Sequence, residues 1–517
     1  MKRFIWLFAA LFAAVALTVF VTSCEEDDGN DKGNGTVGIP SALVSEWASK
    51  ASPTSVLFKI ASDGTFTAAG KSDSLGKITI SDDTVELKND NGATVGTFKY
   101  SISNDEMSMT NPTGSALLFS LNSPFVKIDD SFVVSGFTIS SPYADVNWET
   151  FEQYKAAMHV HTNNSDGGRS LSDVVDEHYR LGYDILGITD HVWKRVNNVE
   201  IYRDLITRTW TQTEWKTYAV THISQDRLDE IQSGDAVVVN GVERNGRGML
   251  MIPNTAELAL NPGENELNVF FTYDGDPPQA WALGLEAGIQ RAHNNANSIF
   301  FINHPGRATG GSIGGGAGEN ASNHPSHINR YSSMFLQYPN CVGFEIFNRR
   351  DEDSRSDRIL WDNVLKVTVP QGRFVWGYGN DDSHSHGQID VNYNVFIMPG
   401  NSLETTKNAM LKGHSYAVTR IARREGVDVP NSSPNLRPVI NSISVNNEAN
   451  SITINAENTT TVVWISEGRE ILTTTGASST INLMAEGVAN QVGSYVRANI
   501  IGNGGMAVIQ PIGTTKK

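Results

Sequence analysis

The sequence contains little cysteine and little positive charge. Its 517 residues include only two cysteines, Cys24 and Cys341, so a modification of Cys24 leaves Cys341 without a partner. No disulfide can then form within the mature chain. The 57 acidic residues outnumber the 40 lysines and arginines, which gives a formal net charge of -17 at pH 7. Because phosphate backbones bind to basic surfaces, a nucleic acid polymer is not expected as a bulk partner.

The N-terminus contains a basic, an apolar and a cysteine-containing segment in that order. Lys2 and Arg3 precede a long apolar run, and Val21-Thr22-Ser23-Cys24 resembles a bacterial lipobox. This resemblance implies a signal peptide over 1–24, lipidation of Cys24 and an extracytoplasmic protein anchored to the outer membrane. The acidic residues 25–28 resemble the export signal of some surface lipoproteins. The alternative for 25–38 is a flexible acidic linker that contains glycine.

The segment from Met158 to Gly167 brings two imidazoles and a carboxylate close together. Residues two apart in a strand point to the same face, so His159 and His161 can bind one metal ion. Asp166 returns from the following loop and can supply an oxygen ligand. The alternative interpretation is a polar loop with two incidental histidines, because histidine is also common at protein surfaces.

Polar residues with ligand chemistry also follow later apolar runs. Short apolar runs without alternation are typical of strands buried on both faces. Ser170 and Gly182 predict the start and the stop of a helix before the first of these runs. Five such runs each end in, or are followed by, a residue of this kind. They are 185–188, followed by Asp190 and His191; 249–252, followed by Glu257; 298–303, followed by His304; 342–348, which ends in Asn348; and 373–379, followed by Asp382 and His384. The pattern predicts one site at the C-terminal ends of several strands.

These motifs resemble those of the PHP (polymerase and histidinol phosphatase) domain, where HxH, TDH, a strand-end Glu, NH and DxH occur in this order. The resemblance covers residues 126–430. Asp166 stands where some relatives have His, which favours the smaller phosphoesterase branch over the histidinol-phosphate phosphatases. The resemblance implies a distorted (β/α) TIM-like barrel with its active site at the C-terminal ends of the strands.

The family resemblance also implies a set of metal ligands. A first ion would be bound by His159, His161, Glu257 and Asp382, while Glu257 would bridge to a second ion at His304. Asp166, His191 and His384 would bind a third ion. The implied cofactors are two or three divalent ions of Mn, Zn or Fe, and the implied catalytic residues are Glu257, Asp382 and His384.

Two positions depart from the family pattern. Glu243 also follows an apolar run, and Glu257 lies one residue further from its strand than is usual. We prefer Glu257 because it precedes a second predicted strand at 267–271, as the bridging Glu of the family usually does. Asn348 stands where some relatives have a further His or Cys ligand. With asparagine at this position, the resemblance does not imply full occupancy of the second metal position.

The implied chemistry is hydrolysis of a phosphate ester. A water that bridges two divalent cations loses its proton near neutral pH, and the cations also offset charge on a phosphoryl group. No protein nucleophile is then required. Cations near the same strand ends are candidates for binding a substrate phosphate, and they are Arg307, Arg349, Arg350, Lys194 and Arg195. The alternative for each is a solvated surface cation.

Two regions rich in predicted strands flank the PHP-like region. In 39–125, turns such as Asp63-Gly64 separate short strands, and the stretch around Phe58 and Phe66 resembles small lipocalin-like barrels. In 431–517, alternating strands with Trp464 as a core aromatic residue predict an immunoglobulin-like sandwich.

The sequence therefore predicts a multidomain, lipid-anchored, metal-dependent phosphoesterase. Its substrate would be a small phosphomonoester or phosphodiester outside the cytoplasm. Two alternatives remain at this point. One is a surface lipoprotein that works as a binding module and keeps its metals for structure, and the other is a metal-dependent hydrolase of a non-phosphate substrate.

Overall fold

The computed structural model describes residues 39, 43–49, 52–68, 76–81, 84–88, 92–103, 106–113, 125–128, 134–191, 193–196, 199–202, 222–234, 244, 246–258, 264–271, 283–295, 297–309, 317–351 and 354–517. Cys24, Glu243 and the leader 1–38 lie outside these residues, so the expectations about them stay predictions. Only the backbone of Lys194 and Arg195 is described. Within the described part, no helix has both the length and the apolar character needed to cross a membrane.

An antiparallel barrel of eight strands begins the described part. Its strands are β1 (Ser45–Ser49), β2 (Ser52–Ile60), β3 (Thr65–Ala68), β4 (Gly76–Ser81), β5 (Thr84–Lys88), β6 (Thr94–Ser103), β7 (Glu106–Thr113) and β8 (Phe125–Ile128). Alternating apolar residues fill the interior, where the ring of Phe58 stacks on Trp47 and Phe66 at centroid distances of 6.3 and 5.5 Å. Pairing of β8 with β1 closes the barrel, so the predicted limit at residue 125 falls within its last strand.

Strands and helices alternate in the middle region. The strands are β9 (Phe137–Ser140), β10 (Glu152–Ala157), β11 (Ile185–Leu186), β12 (Trp193–Val196), β13 (Val199–Tyr202), β14 (Leu250–Met251), β15 (Ala256–Leu258), β16 (Leu267–Phe270), β17 (Ile299–Ile302), β18 (Cys341–Asn348), β19 (Trp376–Asn380), β20 (Asn392–Met398), β21 (Ser415–Thr419), β22 (Ile421–Ala422) and β23 (Val427–Asp428). The described α-helices are α1 (Leu171–Arg180), α2 (Gln225–Ser233), α3 (Leu285–Asn294), α4 (Pro305–Ala308), α5 (Ala317–Ser322), α6 (Pro325–Gln337), α7 (Asp357–Thr368) and α8 (Leu403–Lys412). Ser170 caps α1 by accepting from the backbone N–H of Asp173, as its sequence predicts.

The C-terminal region consists of strands, short turns and one 3-10 helix at Pro434–Leu436. The strands are β24 (Val439–Asn446), β25 (Ser451–Glu457), β26 (Thr461–Ser466), β27 (Arg469–Thr475), β28 (Ser478–Asn482), β29 (Tyr495–Gly502), β30 (Gly505–Ile509) and β31 (Ile512–Lys516). β24, β25 and β28 form one layer, and Trp464 of the other layer is fully buried, as predicted for a core aromatic residue.

Two sheets position the strand ends of the middle region. The first contains β14-β11-β10-β20-β21, and the second has the order β15-β16-β17-β18-β19. Both contribute to one core, in which Ala156 and Met158 from the first sheet meet Phe301 and Tyr378 from the second. The apolar runs of β17 and β18 are buried along their whole length, which explains why they lack alternation.

The expected (β/α) barrel is not formed by the described strands of the middle region. Ten of these strands belong to two separate sheets, and β20, β15 and β16 pair antiparallel with their neighbours. A TIM-like barrel requires parallel strands with a helix after each. Isolated bridges nevertheless join the two sheets at their C-terminal ends, between Val160 and Ser383 and between His191 and Glu257. The ends of the strands therefore still meet at one place.

The C-terminal strands are not a separate module, which corrects the predicted boundary between 430 and 431. β30 pairs antiparallel with β21, so the first sheet continues through β30-β29-β26-β27. β31 pairs with β29 and with β9, near the start of the middle region. These pairings join strands that are far apart in sequence, and local alternation gives no signal for them.

Candidate metal centre

The two histidines of the HxH motif lie just beyond β10, where the two sheets meet. His159 and His161 are buried, and their Nε2 atoms are 3.1 Å apart. Their spacing of two residues places both rings on one face of the extended chain. Glu257 faces both rings, with Oε1 3.2 Å from Nε2 of His159 and Oε2 3.2 Å from Nε2 of His161. Oδ1 of Asp382 lies 3.4 and 3.3 Å from the same two nitrogens. The four residues predicted for a first ion therefore converge.

Two further imidazoles lie beside Glu257. Nδ1 of His191 is 3.2 Å from Oε2 of Glu257, and Nε2 of His304 is 3.5 Å from Oε1. The backbone bridge between His191 and Glu257 holds this carboxylate at the centre of the cluster. Glu257 thus occupies the position that a bridging carboxylate requires, while Glu243 lies outside the described residues.

Asp166 connects the remaining two predicted ligands. Its Oδ2 lies 3.2 Å from Nε2 of His384 and 3.6 Å from Nε2 of His191. Nδ1 of His161 is a further neighbour, 3.4 Å from Oδ1 of Asp166. Asp166 is 48% exposed, so this part of the cluster is open to solvent. A Cβ at Gly167 would lie 2.7 Å from backbone atoms of His161, so the loop can fold over this histidine only with glycine there.

Three residues of the centre have left-handed backbone conformations. His304 has φ 25°, Asp382 has φ 46° and Arg349 has φ 49°. Such values are unfavourable for residues other than glycine, and they persist where surrounding contacts hold the chain. Strained residues of this kind cluster at functional sites, which supports a functional role for these strand ends.

Burial and opposite charge set the protonation of the cluster in the metal-free protein. Burial lowers the pKa of His159 and His161, but carboxylates including Glu257 and Asp382 outweigh it, and the pKa of His161 rises to about 10. Burial likewise raises the pKa of Glu257 and Asp382, yet the neighbouring imidazoles hold both well below their usual range. The two histidines therefore carry protons that a metal ion has to displace.

The side chains fit divalent metal ions. Imidazole nitrogens and carboxylate oxygens are the donors that Zn, Mn and Fe accept in proteins. Four groups of three residues in the described part place their ligand atoms within 4.8 Å of one another. They are His159, Glu257 and His304; His159, His161 and Asp382; His161, His191 and Glu257; and His161, Asp166 and His384. All eight residues predicted as ligands belong to these groups.

Three residues hold the candidate ligands in a supporting role that was not predicted from the sequence. Asn303 donates to Oε1 of Glu257 at 2.6 Å. Asp190 accepts from the backbone and the hydroxyl of Thr162, at 2.7 and 2.6 Å, and so fixes the loop after HxH. Glu345, in the middle of β18, accepts from Nδ1 of His159 at 2.7 Å. A charged or amide side chain within or next to an apolar strand was the signal that could have identified them. Such groups are rarely buried without a hydrogen-bond partner, so each indicates a polar contact inside the protein.

The arginines predicted to bind phosphate have different positions. Arg307 and Arg349 both donate to Oδ2 of Asp382, at 3.1 and 3.0 Å, and each is about one-third exposed. Arg350 is exposed and donates to the backbone oxygen of Gly387. Arg195 lies in the hairpin of β12 and β13, which begins two residues after His191. Only its backbone is described. Two guanidinium groups are therefore part of the centre.

Comparisons with known proteins give weak similarities. No protein-family model matches the chain, and no curated protein sequence matches it. A two-domain protein from Bacteroides vulgatus, described as containing a predicted PHP-like metal-dependent phosphoesterase, is 15% identical with a TM-score of 0.36, covering 74% of this chain and 99% of that one. PsfC from Pseudomonas syringae is 14% identical with a TM-score of 0.29, over 53% and 94% of the two chains. The lesion-specific endonuclease PfuEndoQ from Pyrococcus furiosus is 11% identical with a TM-score of 0.26, over 51% and 56%.

Proposed function

We propose that the protein is a metal-dependent phosphoesterase of the PHP family that hydrolyses small phosphomonoesters or phosphodiesters. One observation carries the proposal: a cluster of histidines and carboxylates meets two arginines at a single carboxylate, Asp382. The metal ligands alone would suit many hydrolases. Two guanidinium groups beside them add a preference for an anionic group with several oxygens, such as phosphate.

The candidate ligands divide into three positions. His159, His161 and Asp382 would hold a first ion, with Glu257 shared between it and a second ion at His304. Asp166, His384 and His191 would hold a third ion at the solvent-exposed side. Divalent ions bound there would supply Lewis-acid charge and an activated water for hydrolysis. In this proposal Glu257, Asp382 and His384 are the catalytic residues.

The protein's own side chains then bind and orient the substrate. Arg307 and Arg349 lie on the same side of Asp382 and would move from its carboxylate to the phosphate oxygens of a substrate. Buried neighbours such as Asn303 keep Glu257 in one orientation, which preorganises the site. The cluster itself requires no serine or cysteine nucleophile.

Metal analysis combined with a panel of phosphoesters tests this proposal. We expect purified protein to contain Mn, Zn or Fe, and to hydrolyse at least one phosphomonoester or phosphodiester in a chelator-sensitive reaction. His161→Ala and Asp382→Ala should lose metal and lower the rate by roughly 1,000-fold or more, which corresponds to about 4 kcal/mol of barrier. A folded, metal-loaded protein that cleaves no phosphoester would instead favour the non-phosphate hydrolase or the binding module.

We also propose that the protein acts outside the cytoplasm as a lipid-anchored protein of the outer membrane. The lipobox at Val21-Thr22-Ser23-Cys24 and the basic and apolar segments before it support this location. The acidic segment 25–28 supports exposure at the cell surface. A small phosphoester present outside the cytoplasm is then the expected substrate.

A further inference from the structure

Glu345 is a buried carboxylate that no lysine or arginine contacts among the described residues. It lies in the middle of β18 and is completely buried. Oε1 accepts from Nδ1 of His159 at 2.7 Å and from Nδ2 of Asn380 at 2.9 Å. Oε2 accepts from the backbone N–H of His304 at 2.9 Å and from Nδ2 of Asn348 at 2.8 Å. Four hydrogen bonds satisfy both oxygens, but the negative charge has only neutral donors and one imidazole around it.

The contact with His159 determines which nitrogen of this ring is free. A carboxylate that accepts four hydrogen bonds requires a proton on Nδ1 of His159. When a metal ion displaces the second proton of the ring, the lone pair is then on Nε2, the atom that faces Glu257, Asp382 and His161. A hydrogen bond on the outer ring nitrogen therefore selects the tautomer that can bind a metal.

The contact with His304 acts on the backbone rather than on the ring. His304 has φ 25°, a conformation that is unfavourable for a residue other than glycine. Its N–H donates to Oε2 of Glu345, which helps to hold the strained turn and so the ring that lies beside Glu257. One carboxylate thus contacts candidate ligands of two different ion positions.

Two asparagines fix the orientation of Glu345. Oδ1 of Asn380 accepts from Nδ2 of Asn394 at 3.0 Å, so the amide of Asn380 must present its NH2 group to Glu345. Asn348, at the position where some relatives have a metal ligand, donates to Oε2 instead. This residue therefore supports the carboxylate behind the ligands rather than replacing a ligand.

We propose that Glu345 is a positioning residue that couples two metal positions, through the tautomer of His159 and the backbone turn at His304. The proposal rests on the proposed function only in taking His159 and His304 as metal ligands. It does not depend on the substrate or on the reaction. Removal of Glu345 should weaken metal binding at both positions together, although Glu345 itself does not touch the ions.

Titration calorimetry with Mn²⁺, together with the visible absorption spectrum of the Co²⁺ form, tests the proposal. Glu345→Gln replaces one acceptor oxygen by an NH2 group, which meets donors on whichever side it lies. Either Nδ1 of His159 loses its acceptor, which favours the tautomer with the proton on Nε2, or the backbone N–H of His304 loses its acceptor. We expect Mn²⁺ affinity to fall by roughly 10-fold to 100-fold, as for other residues that orient metal-bound histidines. The Co²⁺ spectrum should change as well, because the ligand geometry changes.

The matched control is Asp362→Asn. Asp362 is also a buried carboxylate, but it accepts from Tyr495 and Arg497 and contacts none of the candidate ligands. It should lower thermal stability and leave Mn²⁺ affinity unchanged. Asn380→Ala is a milder variant that removes one donor to Glu345, and it should weaken Mn²⁺ binding in the same direction by a smaller factor. It provides the measurement if Glu345→Gln does not fold.

The outcomes separate this proposal from the phosphoesterase. Unchanged Mn²⁺ affinity and an unchanged Co²⁺ spectrum in folded Glu345→Gln would overturn the role of Glu345 and leave the phosphoesterase intact. Weakened binding in a protein that cleaves no phosphoester would support the role of Glu345 and overturn the phosphoesterase. Failure of the unmodified protein to bind any divalent metal would overturn both.

Discussion

Nε of Arg349 donates to Oδ2 of Asp382 at 3.0 Å, so a cation at the edge of the centre is paired with a carboxylate inside it. Asp382 is buried, while Arg349 is about one-third exposed. In the metal-free protein, the guanidinium therefore offsets charge that a metal ion would offset when bound. Under the proposed function, the same arginine would become available to a substrate once a metal ion binds the carboxylate.

Replacement of Arg349 should reduce activity and retain metal. For Arg349→Ala we expect kcat/KM for a phosphoester to fall by about 10-fold to 100-fold, since a charged hydrogen bond contributes about 1.5–3 kcal/mol. Arg307→Ala should behave similarly, because Arg307 contacts the same oxygen. Steady-state kinetics and metal analysis of the same preparations provide the measurement. Arg350→Ala is the control, because the Arg350 guanidinium donates to the backbone oxygen of Gly387 and contacts no candidate ligand among the described residues. Loss of metal in Arg349→Ala would contradict a role of Arg349 in binding the substrate phosphate.

Glu257 and Glu243 should differ sharply when each is replaced by glutamine. Glu257→Gln removes one charge from a carboxylate that contacts four imidazoles, so bound metal and turnover should both be lost. Glu243→Gln should keep both. Metal content by elemental analysis and a single-turnover assay measure the two effects. If Glu243→Gln lost metal and Glu257→Gln kept it, Glu243 would be the bridging glutamate of the motif.

Metal binding should release protons and strengthen as the pH rises. His161 has its pKa raised from 6.5 to about 10, so it is protonated near neutral pH in the metal-free protein and must lose that proton to bind an ion. The stabilisation from protonated His161 is complete below pH 6.5 and is lost as the pH rises toward 10, so metal-free protein should become less stable over that interval. Calorimetry in buffers with different ionisation enthalpies counts the protons, and thermal unfolding follows the stability. Metal affinity that is independent of pH would contradict this prediction.

His178 should reduce stability in acid. Burial lowers its pKa from 6.5 to about 4, and its Nδ1 donates to the backbone oxygen of Val174. The unfolded chain binds a proton more readily between these values, so stability falls as the pH drops from 6.5 toward 4, by up to about 3 kcal/mol from this residue. His178→Phe should lose this part of the pH dependence, whereas replacement of the exposed His222 by Ala should not. Urea unfolding across this pH range gives the comparison, and equal slopes for His178→Phe and the unmodified protein would refute the assignment.

Cys24→Ala should prevent lipidation. Without a thiol at the end of the lipobox, the precursor should stay unprocessed or lose its association with the membrane. Membrane fractionation and the mass of the mature N-terminus provide the measurement. If the variant were processed normally and stayed associated with the membrane, the proposal that Cys24 is lipidated would be wrong.

The sequence contained the local features of the fold and of the centre. Apolar runs predicted strands such as β17 and β18, and the Ser170 cap predicted α1, because burial and capping leave their pattern within a few residues. The eight candidate ligands were also visible, since each belongs to a motif at the end of such a strand. Trp464 was recognisable as a core residue because it lies in a strand with alternating apolar residues.

Features that depend on distant pairings could not be predicted in this way. Glu345 is 186 residues from His159, and its role becomes visible only when β18 lies behind the HxH motif. Pairing of β30 with β21 likewise joins the C-terminal strands to the first sheet, although their alternation alone is typical of a separate sandwich. The antiparallel β15 and β16, which replace the regular order of a (β/α) barrel, have the same local pattern as parallel strands.

The pairing of β31 with β9 determines when the protein can finish folding. Residues 513–516 lie beside residues 137–140, so the edge of the middle region acquires its partner only after more than 370 further residues have been made. The N-terminal barrel has all its strands between residues 45 and 128 and can close much earlier. Synthesis proceeds from the N-terminus, and non-local pairings form slowly. The barrel is therefore expected to fold first, and the two sheets that carry the candidate ligands are expected to complete their pairings later.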